Sequence, residues 1–219
     1  MIKMAIFDLD GTLADSLADL ANSVNKGLRA AGLPEHPVDS YRAMVGNGRA
    51  VLVKRAMGQA ANDAEAYERV TRVFNEEYQR HCNDNTKAYE GCAAMLKQLS
   101  EKGIKTAVLS NKPDEFVARI LQKLYPSHCF TEAWGKKPQY ACKPDGESLC
   151  AMMSRHKLLP QECLYIGDSD VDVYTAQNGG VPMAGVSWGF RGKAELVQAG
   201  APFVADSAEE LTEYILSYE

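Results

Sequence analysis

Two aspartates separated by a single residue, Asp8 and Asp10, follow the apolar run Met4-Ala5-Ile6-Phe7 and directly precede Gly11. On an extended strand alternate side chains share a face, so both carboxylates enter one space. Like charges held that close either raise a pKa or take up a cation. The pair can therefore serve nucleophilic, acid–base or metal-binding chemistry, although an acidic turn after an edge strand reads the same way from these residues alone. Three more polar clusters recur downstream. Ser110-Asn111-Lys112 follows the apolar segment 105–109, Lys143-Pro144 stands between segments, and Gly167-Asp168-Ser169-Asp170-Val171-Asp172 follows the apolar segment 163–166. Taken singly, Ser110 and Asn111 could cap a helix and Lys143 could be a solvated surface lysine. Together, each at the end of a predicted strand, they collect a hydroxyl, an amide, an ammonium and several carboxylates at the edge where open α/β sheets bind ligands.

The elements that must position them alternate. Apolar patterning predicts strands at 4–7, 105–109, 130–134, 163–166, 182–186 and 203–205, and helices at 91–102, 113–124, 146–156, 171–177, 193–199 and 207–216. Strand–helix alternation implies a parallel sheet covered on both faces, an α/β fold of Rossmann-like kind. Residues 15–85 break that rhythm. Leu17, Leu20, Ala21, Val24 and Leu28 recur at helical spacing after Asp15 or Ser16, either of which can cap, and Gly32 and Pro34 stop the helix. Further helices are predicted at 41–45, 49–57 and 64–81, with no second strand before about residue 85. The expected organisation is a catalytic core of 1–14 and 86–219 carrying an all-helical insert of 15–85.

Here the chain resembles the haloacid dehalogenase superfamily in its phosphatase branch. Asp8-Leu9-Asp10-Gly11-Thr12 matches the first motif, Ser110 the second, Lys143 the third, and Gly167-Asp168 with Asp172 the fourth. The helical insert matches the family's cap. The resemblance implies that Asp8 is the nucleophile and Asp10 the general acid and base. Ser110 and the backbone N–H groups of Leu9 and Asn111, with Lys143, would bind the transferring phosphate. Mg²⁺ would be held by Asp8, the Asp10 carbonyl and Asp168, with Asp172 either a further ligand or a holder of metal-bound water; Thr12 would support the loop. Within the superfamily the similarity is to phosphoglycolate phosphatases, through Ser110-Asn111-Lys112-Pro113 with Phe116, Trp188-Gly189-Phe190-Arg191, and the insert loop Val45-Gly46-Asn47-Gly48-Arg49. That loop, opening a helix, can offer N–H groups and Arg49 to a carboxylate; as a structural feature it is simply a glycine turn. The stretch Gln177-Asn178-Gly179-Gly180 departs from the subgroup, which often has alanine there.

The expected function is thus Mg²⁺-dependent hydrolysis of a small phosphorylated metabolite, best 2-phosphoglycolate. Alternatives on the same fold are a broad sugar-phosphate phosphatase, a pyrophosphatase, or a β-phosphoglucomutase-like phosphomutase, for which His36 or Lys54 would have to activate a sugar hydroxyl. A receiver domain shares the acids, hydroxyl and lysine, but its acceptor follows a later strand and no insert interrupts its first unit. A net charge of −5 argues against nucleic-acid binding. No apolar run reaches the roughly 18 residues of a membrane span. The N-terminus carries no leader pattern, and six cysteines without a C-x-x-C pair suit reduced thiols in the cytoplasm. A monomer or homodimer is expected.

Overall fold

The computed structural model describes residues 1–218. Six parallel strands form one sheet: β1 (Met4–Phe7), β4 (Lys105–Pro113), β5 (Glu132–Lys136), β6 (Cys163–Gly167), β7 (Met183–Val186) and β8 (Val204–Ala205), in the spatial order β5-β4-β1-β6-β7-β8. The chain runs outward from β1 through β4 to β5, then returns to β6 on the other side of β1. The order therefore reverses beside β1, whose carboxyl end opens a crevice.

Period-two alternation divides β1 between two cores. Ala5 and Phe7 pack with α4 (Cys92–Glu101), α5 (Asp114–Leu124) and α9 (Ala208–Ser217). Met4 and Ile6 pack with α6 (Glu147–Arg155), α7 (Asp170–Gly179) and α8 (Lys193–Ala199). Buried on both faces, β1 has no polar residue until it ends, so Asp8 is the first side chain free to face the crevice.

A third core belongs to the helices between β1 and β4. It joins α1 (Leu17–Ala30), α2 (Arg49–Met57) and α3 (Ala64–His81), and takes in Phe116 and Phe190 from the α/β layer. Phe116 meets Tyr78 edge-on at 5.0 Å between ring centroids. Burying such a ring contributes about 1.5–3 kcal/mol, so the helical layer is seated on the sheet layer by apolar contact.

Several predicted elements differ in detail. A second sheet exists where no strand is predicted: β2 (Ala14–Asp15) pairs antiparallel with β3 (Lys87–Ala88), tying the two ends of the helical segment together. The helix expected at 41–45 is a 3₁₀ segment, Val38–Ala43. The strand expected at 130–134 lies at Glu132–Lys136. Strand β4 continues to Pro113, with its register against β5 shifting between Leu109 and Pro113. Such irregularities re-aim side chains, and this one falls on Ser110, Asn111 and Lys112. Ser16 makes no capping bond to α1; its hydroxyl donates to Asp10 Oδ1 instead.

Candidate active site

Asp8 forms the floor of the crevice. Lys143, 4% exposed, brings Nζ to 2.9 Å from Asp8 Oδ1. The approach is out of line for a hydrogen bond, so this buried carboxylate oxygen has no donor. The same ammonium donates to Asp172 Oδ1 at 2.7 Å and to the Tyr165 hydroxyl at 2.9 Å. Burial works against the Lys143 charge, but Asp172 and Asp8 outweigh it and hold the pKa well above the usual lysine value.

Asp172 is fully buried and accepts on both oxygens. Oδ1 takes Lys143 and the Tyr165 hydroxyl; Oδ2 takes the Ser169 hydroxyl at 2.7 Å and the N–H groups of Asp168 and Ser169. The Ser169–Asp172 exchange is a capping box that starts α7. Asp168 is fixed differently. Its Oδ2 accepts the Phe190 N–H at 2.7 Å, and Thr12 Oγ1 stands 3.4 Å from Oδ1. A Cβ on Gly11 (φ +90°) or on Gly189 would collide with the Asp168 side chain. Glycine at both positions leaves the space this carboxylate occupies.

Carboxylate oxygens of Asp8, Asp168 and Asp172 come within 4.8 Å of one another. Burial, only partly offset by Lys143, and the charges of Asp172 and Asp10 push Asp8 up to about 7. Burial and the neighbouring acids push Asp168 well above the carboxylate range. A buried, all-oxygen set with excess negative charge, in which Asp8 Oδ1 has an ion pair with Lys143 but no aligned hydrogen bond, fits a hard divalent cation such as Mg²⁺. Asp8 and Asp168 have oxygens to give, whereas those of Asp172 are already committed to five donors.

Asp10 sits at the rim. Besides Ser16, it receives Lys112 Nζ at 2.8 Å on Oδ1 and 2.9 Å on Oδ2. Burial disfavours the Lys112 ammonium, but Asp10 and Tyr78 raise its pKa above the ordinary value. Asn111 cross-braces the site: its amide N–H₂ donates to the carbonyls of Lys143 and Gly46, and its Oδ1 accepts the Lys143 N–H.

A cavity opens above Asp8 and Asp10. Ser110, Asn111 and Lys112 line it from the sheet side, and Leu20, Val45, Gly46, Gly48, Arg49, Leu52 and Tyr78 from the helical side. Asp8, Asp10, Ser110, Asn111, Gly46, Gly48 and Arg49 are thus brought together, with Lys143 and Asp168 beneath. Asn47 faces an adjacent cavity beyond Arg49. Leu9 is fully buried and spends its carbonyl on the N–H groups of Thr12, Leu13 and Ala14. Arg49 donates to Asn75 Oδ1 and lies 5.7 Å from the centre of the Phe116 ring. His36 pairs with the Ala56 carbonyl and Lys54 lies over Tyr67, and neither lines the cavity. Lys112, Tyr78 and the Phe190 N–H carry no site role in the sequence pattern, and Ser16 reads there only as a helix cap. The run Ser110-Asn111-Lys112 was the available signal for the first; the others depend on tertiary position.

The model of the haloacid dehalogenase-like hydrolase family matches residues 5–186, and the chain belongs to that family. The phosphoglycolate phosphatase of Vibrio vulnificus (strain CMCP6) is 32% identical over 220 aligned residues, covering 98% of this chain and 96% of that protein. That of Psychrobacter arcticus is 33% identical, with the same coverage of both chains. A crystal structure from Lactobacillus delbrueckii subsp. bulgaricus, described provisionally as a phosphoglycolate phosphatase, superposes with a TM-score of 0.91 at 33% identity, covering 98% of each chain. The protein is a phosphoric monoester hydrolase. Among the described residues no helix is long and apolar enough to cross a membrane.

Proposed function

We propose that this chain hydrolyses a small phosphate monoester, 2-phosphoglycolate being the favoured substrate, by a Mg²⁺-dependent mechanism through an aspartyl phosphate on Asp8. The observation that carries this reading is the buried Asp8 carboxylate at the floor of a cavity, ion-paired with a buried lysine and flanked by a second carboxylate. Asp8 attacks phosphorus as the ester P–O bond breaks, and Asp10 gives its proton to the departing alkoxide. Asp10 then takes a proton from water as that water attacks phosphorus, and the Asp8–P bond breaks to release phosphate. Lys143 and the Ser110 hydroxyl oppose the charge on the transferring phosphoryl oxygens, with Leu9 and Asn111 N–H groups as further donors. Asp8, Asp168 and the Asp10 carbonyl would hold Mg²⁺, which when bound would supply charge neutralisation for the phosphate. Asp172 acts by orienting Lys143 and the 168–169 backbone.

In this reading 1–14 and 86–219 form the catalytic core, and 15–85 a cap whose loop 46–49 selects the leaving group. The choice of 2-phosphoglycolate draws support from what the relatives are named and from the cations in the cavity. The absence of His36 and Lys54 from the cavity lining disfavours the mutase alternative. All six cysteines are free, which suits a cytoplasmic setting. Phosphate release across a panel of small esters, with Asp8→Asn as the blank, tests the proposal. Turnover by purified Asp8→Asn protein would sink it, as would full activity after chelation.

A further inference from the structure

Lys112 has a counter-ion that the reaction needs free. Its ammonium grips both oxygens of Asp10, while Ser16 donates to one of them. A carboxylate engaged on both oxygens is poorly placed to exchange a proton with a leaving group or with water. Lys112 is itself buried and lines the cavity, so its charge has no solvent to fall back on if Asp10 turns away. Another anion must replace Asp10 as its partner, because leaving a buried charge unpaired is costly.

The surroundings suit such an anion. The Tyr78 ring centre lies 5.0 Å from Lys112 Nζ. Tyr78 is 1% exposed, lines the same cavity, and its hydroxyl has no hydrogen-bond partner. A buried phenol without a partner is a donor waiting for an acceptor. Lys112 and Tyr78 together offer an ammonium and an O–H beside the position that a leaving group takes next to Asp10. Arg49, the other cation lining the cavity among the described residues, is already bonded to Asn75.

We propose that Lys112 and Tyr78 form the subsite for a second anionic group on the substrate, and that occupation of this subsite draws Lys112 from Asp10 by counter-ion exchange. The inference rests on the reading under Proposed function, and deepens it. The substrate class it defines is a phosphate monoester carrying a carboxylate close to the ester carbon. A neutral ester leaves Lys112 on Asp10 and is turned over less efficiently. Discrimination thus arises within the catalytic pair, in addition to any contact made by loop 46–49.

The test compares kcat/KM for 2-phosphoglycolate and for its neutral counterpart, 2-hydroxyethyl phosphate, in the Mg²⁺-loaded enzyme. Wild type should favour the carboxylate. Lys112→Met should cut that preference by about 100-fold, roughly 2.8 kcal/mol at 1.4 kcal/mol per tenfold. Lys112→Arg should retain most of it, and Tyr78→Phe should cut it by about tenfold. A purely structural role would depress both substrates alike, so an unchanged ratio in Lys112→Met, or a wild type without preference, overturns the inference. If Lys112→Met does not fold, Tyr78→Phe decides alone by the same ratio. The reading beneath fails separately, and only if Asp8→Asn retains turnover or wild type releases no phosphate from either ester.

Discussion

Replacing Asp172 with asparagine separates a direct metal ligand from a side chain that organises its neighbours. The amide has one acceptor oxygen and one N–H₂, while the native carboxylate accepts from Lys143 and Tyr165 on one oxygen and from Ser169 and two N–H groups on the other. Either rotamer points an N–H₂ at existing donors, and the ion pair with Lys143 is lost. Breaking a buried pair costs about 3–5 kcal/mol. Some of this is returned, because Asp172 also raises the energy of ionised Asp8 and Asp168. That return is small where Asp8 is protonated, below its value of about 7. Near pH 6 without metal, a net loss of about 3 kcal/mol is expected, a fall in Tm of roughly 6–12 °C for a chain of this size. Thermal unfolding in chelator measures it. Mg²⁺ titration of the same protein should show affinity weakened by about 10–100-fold, the range for groups that orient ligands, while Asp168→Asn should abolish binding. A Tm change within about 3 °C would refute the hub role; loss of all metal binding in Asp172→Asn would make Asp172 a ligand after all.

Metal dependence should couple to pH. The folded, metal-free Asp8 has its pKa raised from 3.8 to about 7. Its contribution to stability is therefore full below 3.8 and is lost as pH rises through 7. Mg²⁺ requires the carboxylate, so the rise in Tm on adding a fixed Mg²⁺ concentration should be larger near pH 8 than near pH 5.5; equal shifts would contradict the assignment of Asp8 to the metal. Gly11→Ala should lose Mg²⁺ binding and nearly all turnover, since its Cβ meets the Asp168 carboxylate and φ +90° adds about 1–2 kcal/mol of strain; near-normal calorimetric affinity would show that the loop yields. Asp19→Ala strands the buried N–H and hydroxyl donors of Thr86 that Asp19 now accepts, along with the more exposed Asn85 N–H. A loss of about 3 kcal/mol is expected in urea unfolding, and less than about 1 kcal/mol would mean that water replaces it.

The sheet and the floor of the site were legible because each strand is a short apolar run that stops abruptly at polar residues. Asp8 and Asp168 announce themselves by ending hydrophobic runs, and their meeting follows once the strands are parallel; Lys143, in the loop between β5 and α6, has no such run before it. Elements of two residues, such as Ala14–Asp15 and Lys87–Ala88, carry no periodicity to detect. Lys112 follows Ser110 and Asn111, which read as helix caps; the register shift in β4 falls on this stretch, and Lys112 reaches Asp10. Ser16 has the side chain and position of a helix cap, yet a carboxylate six residues earlier competes for its hydroxyl and wins. The Phe190 N–H is invisible in any side-chain pattern, since backbone donors are the same at every residue.

The two-residue ladder joining Ala14–Asp15 to Lys87–Ala88 has a consequence for how such a chain can be altered. The residues on either side of the helical segment are already neighbours, so the α/β layer meets that segment as it would meet a tight hairpin turn. The entropy of closing a loop grows only with the logarithm of its length, and an excursion that leaves and returns through one doorway does not lengthen any other crossover in the sheet. Helices of another length or number could be spliced at this doorway without changing the strand order. Chimeras that exchange the excursion between relatives could therefore separate what is recognised from what is done to it.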